Sequence, residues 1–420
     1  MPFGLAGRAA GGIGRRALGR DDGELSVEFA DQIAEELFSV LGELKGGAMK
    51  VGQALSVFEV GMPERYAAPF RETLTKLQAE APPMDPDTVE SVLEVQLGRK
   101  WRERFSAFDS TATAAASIGQ VHRATWRDGR EVAVKVQYPG ADKALQSDLR
   151  QLRRLAPLIR PLTPGTDVKS VIDEIYDSTI TELDYRSEAD HQRNFAAAFA
   201  GDADIYVPAV VASSPKVLVT EWATGKPMSR IAREGTQEER ERCALLLTEF
   251  QFSSPVRARM LHGDPHPGNF MLAPDDRFVV IDFGASLRLP DGMPEPLTTL
   301  MRKAVHGQVD ELLELMREYG YIAPRSRVNA QEAMAFLEPF VEPMRSPEFD
   351  FDREWMQRIV SVYGDVSGKE FRTARSFSLP REFALIHRVL SSSVGMLCQL
   401  EARAPYRAVV EKWMPEIFEA

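Results

Sequence analysis

"LHGDPHPGNFMLAPDDRFVVIDFGAS", residues 261–286, sets Asp264, Asn269 and Asp282 around two apolar runs, residues 270–272 and 278–281. Turn formers and β-formers alternate here. The spacing predicts a loop, a strand, a tight turn and a second strand ending at Asp282. Two carboxylates and one carboxamide would then emerge on one side of a small β-ribbon. Three oxygen-bearing side chains so placed suit Mg²⁺, a hard cation that shares oxygen ligands with phosphate. His262 and His266 are four apart, but Pro265 and Pro267 break any helix that would present both to one metal. They are read as bracing Asp264 through hydrogen bonds.

The chain has 420 residues, enough for two or three domains with substantial cores. Its 44% hydrophobic and 27% charged composition is that of a globular protein. A net charge of −11 argues against general nucleic-acid binding, which needs a basic surface. The two cysteines, Cys243 and Cys398, are far apart and form no zinc-type cluster, which suits a reducing compartment. No stretch reaches the roughly 18 apolar residues of a spanning helix. The nearest, residues 383–400, is interrupted by His387, Arg388 and serines, and reads as a buried amphipathic helix. A cytoplasmic protein with no transmembrane helix is expected. The first twenty residues carry Arg8, Arg15, Arg16 and Arg20 without an acidic residue. That is a Gly/Arg-rich tail, or an arm for targeting or for the inner membrane face.

Helical spacing predicts helices over residues 26–55 and 64–79. Asp85-Pro86, an N-cap followed by Pro at the first helical position, predicts another to about Leu97. From Phe105 the pattern changes. "SIGQVHRATW" and "REVAVKVQY" are β-rich runs joined by Asp128-Gly129, a hairpin signal. Helical patterns follow over residues 142–159 and 167–199, then strands over 205–211 and 216–221, then a nearly all-helical remainder. The expected division is a tail (1–24), a helical extension (25–104), a sheet-rich lobe (105–224) and a helical lobe (225–420).

Lys135 stands on a predicted strand between Val134 and Val136. It reads either as a lysine snorkelling from a sheet edge or as one held inward to neutralise nucleotide phosphates. The second role needs a helix carboxylate as partner. "TELDYRSEADHQRNF" offers Glu182, Asp184, Glu188 and Asp190, which alone could be a solvated acidic face. Taken in order, strand lysine, helix glutamate, H-x-D loop, Asn five residues later and D-F-G form the protein-kinase signature.

Four departures from ordinary kinases carry a resemblance. "AAAS" (Ala114, Ala115, Ala116, Ser117) stands in place of the glycine-rich nucleotide loop. "KVGQ" runs from Lys50 to Gln53, "ELD" from Glu182 to Asp184, and "HGDPHPGN" replaces H-R-D. On these motifs the chain resembles the UbiB/AarF family of atypical protein-kinase-like proteins, a group associated with ubiquinone metabolism. The resemblance implies an α+β bilobal kinase-like fold with a helical N-terminal extension. It implies ATP and Mg²⁺ as cofactors, with Lys135 on the phosphates and Glu188 as its ion-pair partner. Asn269 and Asp282 become the metal ligands, and Asp264 the catalytic base or water-orienting group. Glu221, Trp222 and Ala223 become the adenine hinge, and the residues of "AAAS" the phosphate loop. Lys50, Gln53, Glu182 and Asp184 would occupy the cleft where a kinase admits its peptide. The implied partner is a quinone precursor or lipid, reached by peripheral membrane contact. Only about ten residues lie between Gly284 and Glu295, too few for a long activation segment. Two other readings stay open: a small-molecule phosphotransferase of the aminoglycoside or choline kinase type, and a non-catalytic, ATP-gated lipid-binding scaffold.

Overall fold

The computed structural model describes residues 83–116, 118–143, 146, 183–323, 326–364 and 376–419. The chain divides into two compact units, Met1–Pro82 with Gly140–Tyr176, and Pro83–Pro139 with Asp177–Ala420. The fold and site below belong to the second. The expected helices over 26–79, and Lys50, Gln53, Ser117 and Glu182, lie outside the described residues.

Asp85 caps the helix Pro86–Leu97 by accepting from Thr88 N at 2.9 Å, with Pro86 at the first position, as the sequence predicts. That helix turns Val89, Leu93 and Leu97 onto a sheet. The sheet comprises β1 (Phe105–Phe108), β2 (Ala114–Ala116), β3 (Gly119–Trp126), β4 (Glu131–Gln137), β6 (Val210–Ser214) and β7 (Val217–Glu221). Its order is β1-β3-β4-β7-β6, antiparallel throughout, with β2 on β3. In β4, Val132, Val134 and Val136 are fully buried on one face, each contributing about 1.5–3 kcal/mol on leaving water. The pleat therefore puts Lys135 on the opposite face. The β3–β4 turn is the predicted one, with Gly129 at φ +90°.

The run 205–211 is not one strand. Ile205–Tyr206 (β5) pairs parallel with β11 (Phe278–Val280) in a small sheet of order β5-β11-β10-β8, where β10 is Phe270–Leu272 and β8 is Lys226–Pro227, whereas Val210 onward joins the large sheet. Pro208, which has no N–H to give a ladder, stands between the two parts.

The rest is mainly helical, making the fold an α+β bilobal kinase-like one. Thr236 and Glu239 form a capping box at the start of the helix Gln237–Arg257. That helix packs Phe250 among Phe195, Phe199 and Phe270. The helix Arg381–Leu400 corrects one expectation. Its Glu382–Leu400 stretch has a mean hydropathy of 1.3, long and apolar enough to cross a membrane. Phe383, Ile386, Val389 and Leu400 are nonetheless buried in the cores of this lobe. Sequence reading stopped at His387 and Arg388; neighbouring leucines and valines outweigh those two in the average.

Candidate functional site

Lys135 projects from β4 to the helix Tyr185–Ala198, where its ammonium lies 2.8 and 3.0 Å from the two oxygens of Glu188. Asp282 Oδ2 lies 3.3 Å from the same nitrogen, and the Tyr185 ring lies 5.1 Å below it. Burial alone would draw this ammonium's pKa down. The charges of Asp282 and Glu188 outweigh that and hold it well above the usual lysine value. Glu188 is 3% exposed, so this is a buried pair and not a snorkelling lysine or a solvated acidic face. Asp190, from the same acidic run, is exposed and pairs with Arg193.

Asp184 does a different job. It is the N-cap of the helix that carries Glu188, accepting from Arg186 N at 3.0 Å and from the Arg186 guanidinium. The Arg186 hydrogen bonds hold its carboxyl below the usual range. The cap starts the helix so that Glu188 falls in its first turn and faces Lys135.

The ribbon of β10 (Phe270–Leu272) and β11 positions the remaining groups, pairing Phe270 with Val280. Beyond the paired residues Asn269 O accepts from Ile281 N at 2.9 Å, which sets Asn269 and Asp282 on adjoining chain ends. Asn269 Nδ2 donates to Asp264 O at 2.9 Å and to Asp264 Oδ2 at 3.3 Å. The amide group is thereby oriented, and among the described residues no hydrogen bond engages its Oδ1. Asp282 itself has φ +63°, a strained left-handed conformation for a non-glycine residue, the kind of outlier that gathers at functional sites.

The histidines do not brace Asp264. His262 is fully buried, and its Nε2 meets the Asp282 carbonyl at 2.7 Å; burial pulls its pKa down. His266 Nδ1 accepts from Gly268 N, capping the short 3₁₀ turn Pro267–Asn269. The histidines thus fix backbone, and Asn269 holds Asp264. No described group of three or more His, Cys, Asp or Glu could hold a metal. The donor set is instead one carboxylate and one amide oxygen. That suits Mg²⁺, which binds through one or two carboxylates and completes its shell with water and phosphate.

Several positioning residues escaped sequence reading. Gly263 approaches Ala285 so closely that a Cβ would lie 2.6 Å from its carbonyl, and Gly263 N donates to that oxygen. This contact sits beside the pairing of β9 (Met260–His262) with β12 (Ser286–Arg288), which occupies the short segment after D-F-G. Arg388 donates to Gly263 O at 3.1 Å. His191 Nδ1 meets Phe283 O at 3.1 Å, tying D-F-G to the Glu188 helix. Gly119 was also legible in principle, since an isolated glycine in a strand marks close backbone approach. A Cβ there would lie 2.3 Å from Val136 O. It pairs with Ala116, while Ala114 and Ala115 are exposed opposite Val121 and Gln120.

At the expected hinge, Glu221 N donates to Ala209 O and Trp222 N to Glu131 O, both at 2.9 Å. The Glu221 carboxylate accepts from Tyr206 OH at 2.9 Å; burial and this bond push the Tyr206 phenol up to about 12. The Arg123 guanidinium covers the Trp222 ring at 5.1 Å. Among the described residues the Ala223 amide has no backbone partner.

Residues 76–316 match the ABC1 atypical kinase-like domain. The solved structure of Rv3197 from Mycobacterium tuberculosis in complex with erythromycin is 46% identical, with a TM-score of 0.71, over 95% of this chain and 100% of that one. An uncharacterized protein of Synechocystis is 32% identical over 92% of this chain and 66% of its own length. Atypical kinase coq-8, mitochondrial, of Caenorhabditis elegans is 30% identical over 77% of this chain and 44% of its own. This chain thus spans less than two thirds of the length of those last two relatives. The lysine–glutamate pair, the H-G-D loop and the D-F-G aspartate stand together in one fold, and the chain belongs to the UbiB (ABC1) family of atypical kinase-like proteins.

Proposed function

We propose that this protein binds Mg-ATP and turns it over as an atypical kinase-like ATPase serving isoprenoid-quinone or related lipid metabolism. The observation that carries this reading is the Lys135 ammonium held between Glu188 and Asp282. Kinases need the lysine–glutamate pair and the D-F-G aspartate on its metal both in place before phosphoryl transfer. Glu188 keeps the ammonium charged and aimed, so it can take a phosphate oxygen. Asn269 Oδ1 and the Asp282 carboxylate are the atoms that would hold Mg²⁺, which neutralises charge on the phosphates. Asp264, oriented by Asn269, accepts a proton from the attacking hydroxyl or orients a water. The Ala114–Ala116 strand, exposed at Ala114 and Ala115, and the Ala223 amide are assigned to the phosphates and the adenine.

The relatives named as atypical kinases favour an enzyme over a passive scaffold. The erythromycin complex of Rv3197 favours a lipophilic small molecule as partner. We assign Lys50, Gln53 and Glu182 to a cleft closed to peptides, and the working place to the cytoplasmic face of a membrane, reached by peripheral contact. Phosphate release by the purified full chain should require Mg²⁺ and rise with one member of a panel of quinone precursors, anionic lipids and erythromycin. Radiolabel from ATP should not reach generic peptides. Efficient peptide phosphorylation would overturn the closed cleft, and no Mg-dependent turnover under any condition would overturn the ATPase.

A further inference from the structure

Asp264 is held by the two peptide planes that flank it. Each plane carries one carbonyl, and a side chain from elsewhere takes each of them. The carbonyl after it, Asp264 O, accepts from Asn269 Nδ2 at 2.9 Å. The carbonyl before it, Gly263 O, accepts at 3.1 Å from Nη2 of Arg388, 125 positions along the chain. A peptide unit is planar, so fixing the Gly263 carbonyl also fixes the Asp264 nitrogen and Cα. Gly263 N donates in turn to Ala285 O at 2.6 Å. The aspartate is thereby set against the segment after D-F-G on one side and against the helix Arg381–Leu400 on the other.

An arginine is more than the capping of a carbonyl requires. Arg388 is half-buried, and among the described residues no carboxylate pairs with it. Drawing a guanidinium out of water without a counter-charge costs free energy that serine or glutamine at the same helix position would avoid. A bond from a charged donor is, however, roughly twice as strong as a neutral one. The loop has no room to supply such a donor itself. H-R-D loops carry an arginine where Gly263 stands. Here a Cβ at that position would lie 2.6 Å from Ala285 O and 3.1 Å from its carbon. The helix that brings Arg388 is well anchored: Ile386 and Val389 are buried on the same turn, and His387 Nε2 bonds Tyr321 OH at 2.7 Å.

We propose that Arg388 is a positioning residue for phosphoryl transfer. Its guanidinium holds the Gly263–Asp264 peptide so that the Asp264 carboxylate meets the attacking hydroxyl or water. The inference rests on the ATPase reading and adds a division of labour to it. Nucleotide and metal fall to Lys135, Asn269 and Asp282, whereas Arg388 acts through Asp264 alone. Removing it should lower kcat and leave the affinity for Mg-ATP unchanged, the pattern of an interaction that counts only in the transition state. A misplacement of about 1 Å can cost roughly 100-fold in rate.

The test is Mg-dependent phosphate release by the full chain as wild type, Arg388→Lys, Arg388→Gln and Arg388→Ala. Mg-ATP affinity by calorimetry and the melting temperature are recorded for each. The glutamine and alanine variants should lose about ten- to 100-fold in kcat, with the dissociation constant for Mg-ATP within about twofold of wild type. One bond to one carbonyl is neither bidentate nor stacked, so Arg388→Lys should keep most of the rate. Added methylguanidinium should restore part of the rate to Arg388→Ala, and sodium chloride at the same concentration should not. Where the alanine variant folds poorly, the contrast between lysine and glutamine carries the test. Unchanged kcat in the neutral variants would overturn the role. So would a loss of Mg-ATP affinity matching the loss of rate, the mark of a general distortion. A wild type without Mg-dependent turnover would overturn the ATPase reading and this role together; an active wild type with equally active neutral variants overturns this role alone.

Discussion

The Lys135 ammonium and the Glu188 carboxylate meet through both carboxylate oxygens, at 2.8 and 3.0 Å, across the join between β4 and the helix Tyr185–Ala198. Glu188→Gln keeps the shape and removes the charge. The lysine then depends on Asp282 alone and draws that carboxylate away from the metal position. The variant should lose about 1–3 kcal/mol of stability in urea unfolding, the usual cost of weakening a buried bond to a charge. Its Mg-dependent phosphate release should fall at least about tenfold, the size of a lost 1.4 kcal/mol interaction. Turnover equal to wild type would make the pair purely structural.

Gly119→Ala tests how the alanine loop is held. The new Cβ would meet the Val136 carbonyl at 2.3 Å and its carbon at 2.9 Å, both backbone atoms that cannot rotate away. Overpacking of this kind costs about 1–3 kcal/mol. The β2–β3 edge should shift with it, so thermal unfolding and nucleotide affinity should suffer together. A variant as stable as wild type would show that the two strands can part freely.

Ala115→Gly concerns the same loop from its exposed side, opposite Gln120. Glycine opens φ > 0 to the backbone, at a cost of roughly 0.5–1 kcal/mol in a strand. The ratio of ATP to ADP affinity should change more than the stability does. Titration of both nucleotides by calorimetry checks this; an unchanged ratio would reduce the alanines to packing.

Acid should destabilise the fold through its buried histidines. His387 has its pKa lowered from 6.5 to about 4 by burial. The native state keeps the imidazole neutral, while the unfolded chain takes up a proton below 6.5. Stability is therefore full above pH 6.5 and falls as pH drops towards 4, by at most about 3 kcal/mol for this group. Burial lowers His122, His191 and His262 as well, with the same sign. Lys135 acts oppositely: its raised pKa leaves its contribution intact until pH climbs above the ordinary lysine value. His387→Gln should flatten the acid limb of a stability-against-pH curve. An unaltered slope would contradict the assignment.

Lys135, Glu188, Asp264, Asn269 and Asp282 were legible because together, in order, they match the kinase-like signature, while the structure supplies the local devices that place them. The pleat of β4 aims Lys135, and the N-cap at Asp184 sets the phase of Glu188. Long-range partners were not legible. Nothing in "HGDPHPGN" says that His262 will hold the Asp282 carbonyl, because that choice depends on β9 lying beside β12. The break between β5 and β6 was legible in principle at Pro208, since a proline has no N–H to give a central ladder. The roles given to Lys50, Gln53 and Glu182 rest on motif alone.

The central claim is that Asp282 and Asn269 hold the metal of a nucleotide that Lys135 receives. Thermal unfolding of wild type and Asp282→Asn, with ATP alone and with ATP plus Mg²⁺, tests it most directly. The substitution is nearly isosteric but takes one charge from Lys135, so the unliganded variant should lose about 1–3 kcal/mol, as Glu188→Gln does, and each protein is compared with its own unliganded state. Mg-ATP at about 100 times its dissociation constant should stabilise wild type by about 2.7 kcal/mol and leave the variant unmoved. An equal Mg-dependent rise in the variant would contradict the account.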